Sequence, residues 1–217
     1  MQRVLRKRRH IVSDFDALLA PFARGVNAVC FERELAGDFE RLARRLAPQA
    51  EENGGLLEVD EALLRGADER VVAVLRDDLA RLTALGRQPQ LNVITRYPRD
   101  ERGLPISVDV HSFHVDRAPV EADTFLCTYA GACSEGLDND DAERLLDVPE
   151  LAAALAPHAT EDDCFDLHYR AKPGATPFSF GVGNLGRLAC QWPGAPMPPC
   201  IHRAPAVDVR ARLLLIA

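Results

Sequence analysis

Three places in the chain carry residues whose types and spacing suit metal chemistry: His114-Val115-Asp116, His202 and Arg212. On a β-strand, residues i and i+2 project from one face, so His114 and Asp116 stand together, about 7 Å apart at their Cα atoms. An imidazole and a carboxylate so placed can share one cation, and His202 is the candidate third ligand. Two histidines and one carboxylate make the facial ligand set of non-haem iron(II) sites, which leaves positions open for a cosubstrate and dioxygen. Arg212 lies ten residues after His202. Its guanidinium can grip the far carboxylate of a chelating 2-oxoacid through paired hydrogen bonds. Arg210 shares a face with Arg212 and competes for that role; Arg212 leads straight into Leu213-Leu214-Leu215 and is preferred as the deeper of the two. His111 competes with His114, but at three residues' remove it faces away on a regular strand.

Other residues bear on the same chemistry. In ADTFLCTYA, alternation puts Asp123, Phe125, Cys127 and Tyr129 on one face. If that face lines the interior, Tyr129 can hydrogen-bond a cosubstrate carboxylate; the other reading is amphipathic packing. Cys200 shares a strand face with His202, and a thiolate beside the metal would favour zinc over iron. Cys164 and His168 are spaced for a zinc site but have no second pair nearby. Glu135 and Trp192 are a possible substrate contact and a lid, or a solvated acid and core. Arg203 follows His202 and points to the opposite face, where an acid should meet it.

These residues need elements to position them. Leu35, Phe39, Leu42 and Leu46 recur at helical spacing up to Pro48, and Leu63, Leu64, Val71, Val72, Leu75, Leu79 and Leu82 do so up to Gly86. After Gly86 the period changes to two. QLNVITRY, ISVDVHSFHVD, ADTFLCTYAG, CFDLHYRA, TPFSFGVG, GRLACQW, CIHRA and RARLLLIA read as short strands between Gly and Pro turns. The stretch SEGLDNDDAERLLDVPELAAALAPHA reads as a polar turn and short helical pieces. The fold expected is α+β: an N-terminal helical layer on a sandwich or barrel of the double-stranded β-helix (jelly-roll, cupin-like) type. It would be a single domain, with a basic flexible arm over 1–14, a mainly helical part over 15–87 and a β-rich core over 88–217.

The composition fits that reading. Among 217 residues, 47% are hydrophobic and 27% charged, as in an ordinary globular domain rather than a disordered chain. The net charge is −7 despite Arg3, Arg6, Lys7, Arg8 and Arg9 at the start, so the body is acidic and nucleic acid is disfavoured as a partner. No apolar run approaches the roughly 20 residues of a membrane helix, and no apolar stretch follows the basic start as in a secretory signal. The expected location is cytoplasmic, and the six cysteines have no disulfide-like spacing. No P-loop, G-x-S-x-G or G-x-G-x-x-G occurs, so nucleotide hydrolysis, serine hydrolysis and Rossmann chemistry lack their usual support.

Two resemblances add to this reading. The order H-x-D, long insert, His and then Arg resembles the jelly-roll iron(II)/2-oxoglutarate oxygenases at His114, Asp116, His202 and Arg212. It implies Fe(II) on the first three and 2-oxoglutarate on Arg212. Over most of residues 15–216 the chain is also similar to an uncharacterised bacterial family called domain of unknown function eighteen twenty-six. That family's pattern has F-H-x-D, C-T-Y-x-G-x-G-T-E-W and W-P-G…H-R-S-P-P…R-L-L-L. This chain keeps Phe113, His114, Asp116, Cys127, Thr128, Tyr129, Gly131, Glu135, Trp192, Pro193, Gly194, His202, Arg203, Pro205 and Arg212. It departs at Cys133 and Gly136, where the pattern has Gly and Trp. The second resemblance implies a possible partner, a CobW-type metal-chaperone GTPase, because genes for the two often adjoin. Three expectations follow: an oxygenase acting on an unknown small-molecule or peptide substrate; a non-enzymatic zinc-binding or metal-homeostasis protein on the same fold; or a metal-free interaction domain.

Overall fold

The computed structural model describes residues 9–160, 163–205 and 210–217; most of the expected basic arm, residues 1–8, lies outside the described residues. In chain order the strands are β1 (Arg9–Val12), β2 (Ala28–Phe31), β3 (Leu56–Glu58), β4 (Gln90–Ile94), β5 (Phe113–His114), β6 (Asp123–Ala130) and β7 (Glu135–Leu137). They continue with β8 (Ala142–Arg144), β9 (His168–Ala171), β10 (Phe178–Ser179), β11 (Leu185–Ala189), β12 (Ile201–Arg203) and β13 (Arg212–Ile216). The α-helices are α1 (Phe15–Leu19), α2 (Phe39–Glu52), α3 (Glu69–Ala84) and α4 (Pro149–Leu155). The larger sheet runs β1-β2-β11-β6-β13-β4-β3, and the smaller β10-β7-β12-β5-β9-β8. Strand pairing is antiparallel throughout both sheets except between β1 and β2. The protein is thus a mixed α/β structure built on two largely antiparallel sheets. Among the described residues, no helix is long and apolar enough to cross a membrane.

The larger sheet is buried on both faces, and this sets the orientation of everything in the site. One face carries Val29, Leu57, Leu91, Val93, Phe125, Cys127, Leu213 and Leu215 against the helices. Helix α2 supplies Phe39, Leu42, Ala43, Leu46 and Ala50, an apolar stripe at the spacing of one helical face. Helix α3 supplies Val71, Leu75 and Leu82, with Asp78 on the same stripe. Each fully buried Leu contributes about 1.5–3 kcal/mol, so this layer is the main core. The helices start where an aspartate satisfies an otherwise unbonded N–H: Asp38 accepts from Arg41 N at 2.8 Å and Asp68 from Arg70 N at 2.9 Å. The other face carries Ala28, Leu126 and Leu188, which pack on Phe178, Phe180 and Cys200 from the side of the smaller sheet.

Four expectations are corrected here. The N-terminal part is not a helical layer alone: β1, β2 and β3 come from it and form both edges of the larger sheet. Arg9–Val12, within the expected flexible arm, pair with Ala28–Phe31. Pro48 does not end α2, which runs on to Glu52. The carbonyl that proline leaves without its helical donor is that of Arg44; both residues lie on the exposed side, and continuing the helix buries Ala50. The polar stretch after Gly131 contains β7 and β8 besides the short helix α4.

Candidate metal centre

The phase of FHVD is fixed from outside. Phe113 and Val115 are buried in a cluster with Leu137 and Ile201 on the far face of the smaller sheet. Alternation then turns His114 and Asp116 to the inner face. Ile201 does the same for β12 and turns His202 inward. His202 pairs directly with His114 across the β12–β5 ladder, and directly paired residues share a face. Their rings lie 4.6 Å apart between centroids. One ligand atom from each of His114, Asp116 and His202 falls within 4.8 Å of the others. His202 Nε2 stands 3.6 Å from Asp116 Oδ2.

Backbone carbonyls set the tautomers. His114 Nδ1 donates to the Ser112 carbonyl at 2.9 Å and His202 Nδ1 to the Cys200 carbonyl at 3.3 Å. A carbonyl only accepts, so both rings carry their lone pair on Nε2, where a cation would be bound. Burial, reinforced by the neighbouring His202, lowers His114 to about 4, so the ring is neutral and fit to ligate at physiological pH. Asp116 is held at both ends. Its carbonyl accepts from Gln191 N at 2.7 Å, and its Oδ2 accepts from the Thr124 hydroxyl of β6.

Arg212 faces this group from the larger sheet. It is 4% exposed, and its guanidinium donates to the Tyr97 hydroxyl at 2.7 Å, Ser134 Oγ at 3.1 Å and Thr128 Oγ1 at 3.2 Å. Gly131, in the left-handed region at φ +79°, permits this placement: a Cβ there would lie 2.8 Å from the Ala211 carbonyl, just ahead of Arg212. His114, His202 and Arg212 line one cavity of about 370 Å³, with Asn92, Tyr97 and Ser134 among its other walls. Arg210, the competitor, is exposed.

Tyr129 is a correction. Its face of β6 is the one covered by helices, where the ring stacks on Phe39 at 5.3 Å and the hydroxyl donates to Asp78 Oδ2 at 2.5 Å. Leu126 and Thr128, on the opposite face, are the β6 residues that reach the cavity and Arg212. Asp78 also takes Arg33 Nη1 at 2.6 Å and Nη2 at 2.5 Å, so this is a buried ion pair that joins α3 to the sheet. Cys200 is enclosed by Ala28, Leu126, Phe180 and Leu188, and burial pushes its thiol far up. It sits in the core as a neutral thiol, outside the ligand group. His111 is likewise outside it, bonded through Nδ1 to the Pro205 carbonyl at 2.9 Å. Arg203 points outward and meets Glu135, with Nη2 to Oε2 at 2.6 Å, which also accounts for that glutamate. Cys164 is exposed while His168 is buried and bonded to Ser112, so the two do not form a zinc pair.

Gly136 is shaped by a neighbour. A Cβ at Gly136 would lie 2.2 Å from the Phe178 ring, so this glycine makes room for an aromatic ring on the strand next to His202. Trp192 stands with Arg117, Ala118 and Pro119 around a second cavity of about 460 Å³, beside Asp116 in the chain. Sequence reasoning missed the supports: Thr124, Ser112, Tyr97, Ser134 and Thr128 are hydroxyl residues whose roles depend on long-range contacts. Comparison with family models, with curated proteins and with solved structures found no match.

Proposed function

We propose that the protein is an iron(II)- and 2-oxoglutarate-dependent oxygenase with its sheets arranged as a jelly roll. The supporting observation is the convergence of His114, Asp116 and His202 on one face, with Arg212 lining the cavity of His114 and His202 from the opposite sheet. The donor set fits the ion: two imidazoles and one carboxylate suit iron(II), and no cysteine is in the group. The Cys200 argument for zinc therefore loses its basis.

Iron(II) chelated by the oxoacid would supply activation of dioxygen for oxidation of a substrate C–H bond. The chain's own residues do the positioning. His114 and His202 present fixed Nε2 lone pairs, and Thr124 holds the Asp116 carboxylate toward them. Arg212 offers a buried cation, aligned by three hydroxyls, for the far carboxylate of the oxoacid. Leu126, Ile94 and Leu214 give the cavity apolar walls that keep water from the reacting centre.

The test is calorimetric titration of 2-oxoglutarate, under anoxia, into protein with and without iron(II). The proposal expects saturable binding that requires the metal. Tight stoichiometric zinc with no oxoacid binding would overturn it in favour of a zinc-binding, metal-homeostasis role, the setting for a CobW-type partner. No metal binding at all would leave an interaction domain.

A further inference from the structure

The inner face of the larger sheet carries a polar pair that neither the cation group nor Arg212 uses. Asn92 of β4 pairs directly with Glu58 of β3 on one side and with Leu214 of β13 on the other. Directly paired residues share a face, with Cβ atoms about 4.5–5.5 Å apart. Leu57, Leu91 and Val93 pack on the helices, so Glu58 and Asn92 turn the other way, and both line the cavity of His114, His202 and Arg212.

Asn92 is only 7% exposed, yet its carboxamide makes no hydrogen bond to another described residue. A polar side chain this buried is normally paired, because the water it loses on burial must be replaced. Glu58 stands on the edge strand and makes no ion pair among the described residues. The fold itself asks for neither group: an apolar side chain at position 92 would pack as well beside Leu214.

Charge in the cavity is sorted by position. Arg212 sends its guanidinium toward Thr128 of β6, whereas Glu58 lies on β3, two strands from β13 on the opposite side. At about 4.8 Å per strand, that is about 10 Å. Arg203, which also borders the cavity, is taken up by Glu135 at 2.6 Å. Leu56, Ile94, Leu214 and Ile216 form the apolar wall between the two ends. Leu56 and Ile216 are 45% and 39% exposed, as apolar residues are at an open mouth.

We infer that Glu58 and Asn92 bind the alkylammonium end of the substrate, which is a primary amine on an aliphatic stem. The substrate role rests on the oxygenase reading; the amine site itself does not. An ammonium has three donors and no acceptor. The Glu58 carboxylate and the Asn92 Oδ1 offer it acceptors side by side, and the stem lies on the apolar wall. The oxoacid, a dianion, takes the cationic end at Arg212. At about 370 Å³ the cavity is near the lower end of the range for ligand sites, about 300–1,000 Å³. Beside an oxoacid it therefore admits a small amine or one lysine-type side chain.

The experiment is calorimetric titration of the metal-free full chain with pentylamine, with its neutral counterpart 1-pentanol, and with a capped Gly-Lys-Gly peptide. Pentylamine should bind about 10–100-fold more tightly than 1-pentanol. Glu58→Gln, on an exposed edge strand, should abolish that preference with Tm unchanged. Asn92→Leu should weaken pentylamine and spare 1-pentanol, while Asn92→Asp, which adds a second carboxylate, should tighten pentylamine; a merely structural asparagine would give neither. The peptide or pentylamine, whichever binds more tightly, shows whether the amine is a lysine side chain or a free molecule, and either supports the site. Equal affinity for pentylamine and 1-pentanol, a preference that persists in Glu58→Gln, or no binding of either amine would overturn the proposal. The oxygenase reading fails separately, by the lack of metal-dependent oxoacid binding.

Discussion

Tyr129→Phe separates a structural tyrosine from a cosubstrate-binding one. The change deletes a single oxygen, whose hydroxyl donates to Asp78 Oδ2 at 2.5 Å. Burial, with Cys127 and Asp78 close by, raises the Tyr129 pKa, so the hydroxyl keeps its proton and is the donor. A hydrogen bond to a charged group contributes about 1.5–3 kcal/mol. The stack on Phe39, at 5.3 Å, survives the change. Asp78 is 0% exposed but keeps both bonds from Arg33, so the carboxylate is not left alone. The loss is therefore bounded by that one bond. In a chain of this size each kcal/mol shifts Tm by about 2–4 °C, which gives a fall of about 3–12 °C. Asp78→Ala, which strands the Arg33 guanidinium, should cost more, about 3–5 kcal/mol. The assay is thermal unfolding followed by circular dichroism, with metal-dependent 2-oxoglutarate binding measured well below Tm on the same samples. Stability should drop while oxoacid affinity holds. A tenfold loss of oxoacid affinity at unchanged Tm would refute the reasoning and return Tyr129 to the site.

Further predictions follow from the inner face. Arg212→Met keeps the aliphatic stem and removes the charge; oxoacid affinity should fall about 100-fold or more while metal affinity stays, both read by titration. Equal loss of both would mean that Arg212 acts on the centre as a whole. Thr124→Val frees the Asp116 carboxylate and should weaken cobalt(II) binding about 10–100-fold, whereas an unchanged affinity would show that the hydroxyl does not position the ligand. In the metal-free protein, His114 is lowered to about 4 from 6.5, so between those values the unfolded chain binds more protons than the folded one. Its contribution to stability is therefore present above 6.5 and lost as pH falls toward 4, by up to about 1.4 kcal/mol per pH unit. Urea midpoints at pH 7 and pH 5 should differ more in wild type than in His114→Gln; parallel shifts would contradict this.

The closeness of the candidate triad could be read from the sequence because period two places His114 and Asp116 together wherever FHVD forms a strand, and Phe113 and Val115 say which side is core. The cosubstrate role offered for Tyr129 fails, and its packing role holds, for a related reason. Alternation along β6 gives two faces, but helices cover one and the smaller sheet the other, so both are apolar and the pattern does not say which is the inside. AVCF at Ala28–Phe31 hides for the same cause, being buried on both sides with no alternation. The segments EGL and AER are three-residue strands among polar neighbours, too short to show any period. Asp78 did carry a signal: an acid at the spacing of Val71, Leu75 and Leu82 is a buried charge in search of a cation. Which cation, Arg33, depends on a contact 45 residues away and could not be read locally. Cys200 shares its face with His202, as alternation expects, but face alone does not give depth, and its thiol ends among Leu126, Phe180 and Leu188.

The central claim is that His114, Asp116 and His202 hold an iron(II) to which a 2-oxoacid, anchored by Arg212, chelates. Anaerobic absorption spectroscopy tests it most directly, because the chelate has a weak visible charge-transfer band that neither component shows alone. The account predicts the band in wild type on adding iron(II) and 2-oxoglutarate, its loss in His202→Ala, and its appearance only at far higher oxoacid concentration in Arg212→Met. Iron-loaded wild type that shows no band at saturating 2-oxoglutarate, or a band that survives in His202→Ala, would contradict it.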